Sequence, residues 1–342
     1  MREITVPGIL LDERGELAQA GWARQPYLDC NLENARSVSL RPLQALRLKR
    51  WDYYAVATPA HFFSVTLAHL GYVGSVFVYI LDFATNELSE ETLLVPLGRG
   101  IHLARNSDAG ESWFDNGRVR VAFETGANAR RVQMRWPGFD SGQGIAADLT
   151  LHCSPQHESV VTMTPMGRRR FFYTRKINCL PGEGWVEHRG AQIELRPAQC
   201  LGTVDWGRGV WAYQTSWIWA RASAFLESGQ TVGINMGTGF GDAGAPDNAV
   251  ILDGRVHKLD DVGFEYEPRD LMRPWRMRSR DGRLRLEFVP FKERVAHSNL
   301  LLVKSAIHQI FGHYSGTFTT GEGQAIALRD VAGFVEQHRA RW

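Results

Sequence analysis

The sequence predicts an all-β protein, and three observations carry that prediction. Apolar and polar residues alternate at period two in many short runs, Asx-Gly dipeptides fall between the runs, and no long stretch holds a helical repeat. In chain order, Val119, Val121 and Phe123 alternate with Arg118 and Arg120. Val132, Met134 and Trp136 alternate with Gln133 and Arg135, and Ile193 and Leu195 with Glu194 and Arg196. Leu284, Leu286 and Phe288 alternate with Arg283, Arg285 and Glu287. Each run fits a half-buried antiparallel strand with one wet face. Asn116-Gly117, Asp253-Gly254 and Asp281-Gly282 suit tight hairpins. Few short helices are expected. Residues 98–106 suit a short turn, and 330–338, opened by an N-cap-like Asp330, suit a last strand followed by a helical turn.

At 342 residues the chain exceeds one typical domain, and 44% hydrophobic with 22% charged residues is ordinary globular composition. The formal charge is +2. The densest basic run, Arg168-Arg169-Arg170, leads into Phe171-Phe172-Tyr173 and reads as a solvated turn before a strand, so no nucleic-acid partner is expected. Cys30, Cys153, Cys179 and Cys200 are far apart, which argues against a structural zinc and against a disulfide framework. There is no apolar signal core and no run of about 18 apolar residues, so the expectation is a cytoplasmic protein with reduced cysteines and no stable membrane insertion. No cofactor motif stands out, and the oligomeric state is open.

A faint internal echo points to two units. Trp51-Asp52-Tyr53 precedes two β-like runs broken at Gly71, and Trp211-Ala212-Tyr213 precedes two broken at Gly229. The expected domains are 1–195 and 196–342.

Residues 205–220 hold the densest chemistry: four tryptophans, a tyrosine, Asp205 and Arg208. As one strand from Trp211 onward, alternation would put Trp211, Tyr213, Trp217 and Trp219 on a single face. Two readings stand, an aromatic core or the wall of an apolar cavity. Asp205-Trp206-Gly207-Arg208-Gly209 favours the cavity, because an acid and a guanidinium set on glycines beside an indole wall read as a site. A carboxylic acid raised by an apolar wall can protonate carbon, and aromatic faces tolerate the cation that results. Asp205 is therefore the first catalytic candidate; its alternative is to pair with Arg208 and pin the turn.

Other candidates are weaker. His308 and His313 are five apart with no intervening Glu, unlike the helical zinc pair, so no metal is expected. His308 and Tyr213 are candidate proton relays, His308 serving otherwise as a hydrogen-bonded wall residue. Asn235 alternates with Ile234 and Met236 and either orients a substrate oxygen or faces solvent. Tyr314 joins Trp206, Arg208, Trp211, Trp217, Trp219 and Asn235 as the substrate-binding set. The glycines of 237–241, followed by Asp242, follow a half-polar strand and open no helix, so they make a turn or lid rather than a dinucleotide loop. Glu336 and His338 either close a site or bind the last helical turn, and with Arg339, Arg341 and Trp342 next to them a surface ion pair is the preferred reading. No Gly-x-Ser-x-Gly elbow is present.

Residues 176–181, 205–220, 232–237, 273–275, 308–316 and 333–342 together resemble a family of proteins known as the domain of unknown function 2804. The Asp-Trp-Gly-Arg-Gly block is the most specific of them. One departure is Asp247, where the resemblance implies Glu; the acid is kept and its reach shortened. That family is distantly similar to carotenoid 1,2-hydratases and tandem lipocalin-like proteins. The resemblance implies two tandem lipocalin-like antiparallel β-barrels packed side by side, without handing over a reaction.

The function expected is acid-catalysed hydration or isomerisation of a lipophilic unsaturated substrate, of terpenoid or acyl type, in an aromatic-lined barrel cavity. The alternative is a lipid-binding protein without chemistry. A carbohydrate-active β protein ranks third, because Asp205, Asp242 and Asp247 share no evident face.

Overall fold

The computed structural model describes residues 2–240, 247–300 and 303–341. The fold is all-β: two tandem antiparallel lipocalin-like sheets, each curled into a half-barrel. The hairpins form where the Asx-Gly dipeptides stand, and Asp253-Gly254 has positive φ at both residues (47° and 74°), the geometry of a tight two-residue turn.

The main path of the first sheet runs Leu88–Pro96, Val73–Asp82, His61–His69, Leu48–Ala57, Leu201–Val210, Phe171–His188, Ile145–His152, Ala129–Trp136, Arg120–Thr125 and Gly110–Asp115. The second runs Arg255–Lys258, Ala249–Leu252, Thr231–Thr238, Gln214–Phe225, Ala325–Arg341, Val303–Thr319, Leu284–Leu300, Trp275–Ser279 and Val262–Glu265. The chain crosses from one sheet to the other between Val210 and Gln214, later than the boundary expected at 195/196. Leu201–Val210 is the reason: it is hydrogen-bonded between Leu48–Ala57 and Phe171–His188 and so belongs to the first sheet.

Period two decides what each strand faces. On Leu48–Ala57, Tyr54 and Val56 enter the first sheet's own core with Val65, Val78 and Phe123, while Tyr53 and Ala55 point the other way. In the second sheet Ala220, Ile234, Trp275, Phe288 and Ile310 build the inner core. A third apolar cluster lies between the sheets, where Tyr53, Phe62, Tyr79 and Phe172 meet Trp219, Phe311 and Phe334. Large aromatic side chains bury about 150–250 Å² each, so this middle layer is a substantial part of what holds the halves together.

Two local expectations change. Ala325–Arg341 is one strand throughout, without a helical turn, and Asp330 has a φ of 54° beside a register shift between Tyr314 and Gly316. The extra residue of a bulge, not a helix cap, uses the Asp there. The four cysteines are buried and unpaired.

Candidate functional site

A cavity of about 250 Å³ opens between the two sheets rather than inside either barrel. Cross-strand rows build its walls. In the first sheet one row is Lys176, Asp205, Tyr53, Thr66, Phe77 and Thr92, and the next is Gly207, Trp51, Ala68, Ser75 and Leu94. In the second sheet Trp219, Glu336, Gln309 and Arg294 form one row, and Trp217, His338, Ile307 and Ala296 the next. All these side chains except Gly207 line the cavity, with Trp211 and Phe240 beside them.

Asp205 faces this space, and its partner is Lys176 rather than Arg208. Lys176 Nζ lies 2.8 Å from Asp205 Oδ2 and 4.0 Å from the Trp219 ring centre. Trp51 Nε1 donates to Oδ2 at 3.2 Å, and Thr174 Oγ1 to Oδ1 at 3.2 Å. Trp51 fits there because its indole lies over Gly207, where a Cβ would come within 2.2 Å of the ring. Three spacings along a strand change the face, so Arg208 and Trp206 point away from the cavity. Arg208 pairs with Asp52 at 2.8 Å and lies over Trp206, which packs against the N-terminal segment through Ile4, Leu10 and Leu28. Both are corrections to the expected substrate-binding set.

The opposite wall carries a second carboxyl and an imidazole. Glu336 accepts a 3.0 Å hydrogen bond from Trp217 Nε1, and its side chain keeps 15% exposure. Burial pushes its carboxyl above the usual range, against the opposing effects of the Trp217 hydrogen bond and the Arg294 and Lys176 charges. Burial pulls the His338 imidazole down to about 3, leaving it neutral at ordinary pH. His338 Nε2 is 2.8 Å from Ser305 Oγ, and Nδ1 is 3.9 Å from Glu336 Oε1. At the floor Arg294 Nε meets Glu90 at 2.5 Å, Gln309 Nε2 donates to Tyr79 Oη at 3.2 Å, and the Tyr53 and Tyr79 hydroxyls are 3.1 Å apart.

Of the other residues expected here, Trp211, Trp217 and Trp219 line the cavity. Tyr213 is 43% exposed and lies outside it, because the strand stops at Val210 and alternation does not run through the crossover. His308 is on the other face of Val303–Thr319, 2.8 Å from Glu293, and is no part of the lining. Tyr314 is buried in the second sheet's core and donates to Phe334 O at 2.6 Å. Asn235 stands behind the wall: it accepts from Trp219 Nε1 at 2.9 Å and donates to Asp247 O at 2.6 Å, fixing the indole. Phe240 of the expected lid closes one side, whereas Gly241 and Asp242 lie outside the described residues.

Sequence reasoning missed Trp51, Lys176 and Arg294, and it named Glu336 and His338 but preferred a surface ion pair for them. Lys176 left a signal: with Arg175 it makes two adjacent cations, one for each face of the strand Phe171–His188. Glu336 and His338 are two apart, which in a strand means one shared face; expecting a helical turn and a surface ion pair concealed it. Among the described residues, no three His, Cys, Asp or Glu side chains cluster as metal ligands would.

The arrangement joins a carboxyl disposed to hold its proton, a neutral imidazole, an ion-paired carboxylate and indole faces around one small apolar space. It can donate a proton, accept one, and accommodate positive charge.

Two solved structures are similar to this chain at a low level. One is described as an AttH of Nitrosomonas europaea: 14% identity, TM-score 0.45, 85% of this chain and 92% of that one covered. The other is kievitone hydratase from Nectria haematococca: 10% identity, TM-score 0.45, with coverage of 86% and 88%. At such divergence neither passes on a reaction. No curated protein matches the sequence. A family profile matches residues 1–342 in full, and the chain therefore belongs to the domain of unknown function family DUF2804.

Proposed function

We propose that this protein is a cofactor-independent enzyme that hydrates or isomerises a compact unsaturated lipophilic molecule in the cavity between its sheets. The observation that supports it most is Glu336, a largely buried carboxyl with raised proton affinity that keeps 15% exposure to an aromatic cavity. At about 250 Å³ the space falls just below the ~300–1,000 Å³ of small-molecule sites, which favours a substrate of modest size over a long polyene.

In this reading Glu336 gives its proton to one alkene carbon, and the neighbouring carbon becomes cationic against Trp217 and Trp219. Water attacks that carbon in a hydration, and neutral His338 takes the proton it releases. In an isomerisation His338 takes a proton from carbon instead. Asp205, held by Lys176, Trp51 and Thr174, supplies a fixed negative charge near the developing cation.

The three partners of Asp205 also favour a second reading, a carrier of small lipophilic molecules in which the ion pair only organises the wall. To separate the two, compounds bound to wild type and to Glu336→Gln, purified from the same cells, are extracted and identified by mass spectrometry. Catalysis predicts an alkene in the variant and its hydrated or rearranged product in wild type. The same unaltered compound in both would refute the enzyme and leave the carrier.

A further inference from the structure

We propose that the open end of the cavity is a docking face for an anionic lipid bilayer. This goes beyond the proposed reaction and needs only that the cavity opens here, not that chemistry occurs in it.

The strand registers bring one set of chain segments to this end. Leu48 pairs with Val210, Arg50 with His69, His69 with Gly74, and Val73 with Pro96 in the first sheet. Gln214 and Lys304 both pair with Arg341 in the second. The crossover is tied to the segment before Leu48–Ala57 there, where Arg47 Nη2 donates to Trp211 O at 3.0 Å. Leu70, Val73, Leu94, Lys304 and Ser305 line the cavity at the same end, so this is where it meets solvent.

Two independent features single out the surface around that mouth. Leu43, Leu46, Leu94, Leu97 and Tyr213 are 37–48% exposed there. Single exposed leucines need no explanation, but four of them along the first-sheet side of an apolar cavity's mouth do. The helical turn Gln44–Arg47 brings Leu46 against Gly71, and Leu97 N donates to Tyr72 O, so these side chains belong to one rim. The second feature is charge. Residues 34–51, 53–81, 92–107, 206–226, 294–321 and 337–342 contain no Asp or Glu. Exposed Arg99, Lys304, Arg339 and Arg341 lie within these acid-free segments, although the whole chain is nearly balanced with 39 basic and 37 acidic residues.

Apolar side chains to enter the acyl boundary, an interfacial tyrosine, and cations for acidic head groups are the parts of a surface-binding site. No helix among the described residues is long and apolar enough to cross a membrane, and docking of this kind requires none. Its consequence is direct transfer: a lipophilic ligand moves between the acyl layer and the cavity without crossing water.

The test is flotation of the full-length protein with vesicles of phosphatidylcholine alone, or containing roughly a third phosphatidylglycerol. Retention on the anionic vesicles at low salt, released as salt rises, is expected. Arg339→Gln with Arg341→Gln should lower partitioning about 30-fold, at about fivefold per charge. Leu43→Gln with Leu97→Gln should lower it without changing the salt dependence. Arg276→Gln with Arg278→Gln, exposed residues of the strand Trp275–Ser279 that carry the same charge change, should leave partitioning unaltered. Near-ultraviolet circular dichroism of the tryptophans checks that each variant is folded. No retention on anionic vesicles, or equal loss in the mouth and control pairs, would overturn the proposal.

Discussion

His338 should make the protein acid-sensitive, and the effect can be isolated. Burial lowers its folded value from 6.5 to about 3, so the fold holds the neutral imidazole and resists its protonation. A depressed folded value gives a contribution that is fully present above the unfolded value. It is then lost progressively as pH falls toward the folded one. Between about pH 7 and pH 5 the linkage relation gives a loss of about 2 kcal/mol from this one group, approaching about 5 kcal/mol below pH 3. The perturbation is His338→Gln, which keeps an amide near Ser305 but cannot take up a proton. Urea unfolding of wild type and variant at both pH values is the assay. The variant should be less stable at pH 7, and its deficit should shrink by about 2 kcal/mol at pH 5. His69, lowered to about 4, and the other depressed histidines, His157, His188 and His257, titrate in both proteins and drop out of the difference. A deficit constant to within about 0.5 kcal/mol would refute the reasoning, because it would mean that the imidazole is not held neutral by the fold.

Removing one member of the buried ion pair should cost more than removing both. Lys176→Met, which leaves the Asp205 carboxylate without its cation, is expected to destabilise by about 3–5 kcal/mol in urea, and Lys176→Met with Asp205→Leu to recover much of that. Gly207→Ala places a methyl against the Trp51 ring; displacing the indole should cost about 1–3 kcal/mol and shift the tryptophan fluorescence.

The fold class was legible because alternation and turn chemistry are local. Runs such as 132–136 bury every second residue, as the sequence implies. The partners of Asp205 were not legible, since Lys176 and Trp51 come from strands far apart in the chain, and only the register sets them side by side. Tyr213 was misjudged because periodicity was carried across a break between two strands. Arg208 was misjudged because nearness in sequence is not nearness in space: three residues along a strand reverse the direction of the side chain. Trp206 fell with it. Trp211, Trp217 and Trp219 do line the cavity, but composition alone does not say which side of a sheet is the inside. For the same reason an inter-sheet space was expected as the interior of a barrel.

The single crossing between Val210 and Gln214 gives this molecule an order of assembly. During synthesis everything needed for the first sheet, including the strand that splices Leu48–Ala57 to Phe171–His188, has emerged before any of the second sheet exists. Until its mate arrives, that nascent half displays Tyr53, Phe62, Tyr79 and Phe172 as an uncovered adhesive surface. Neither half owns the chamber; it comes into being only when the two dock. A ligand that touches both walls therefore acts as a clasp, and its occupancy should register first as resistance of the halves to separation.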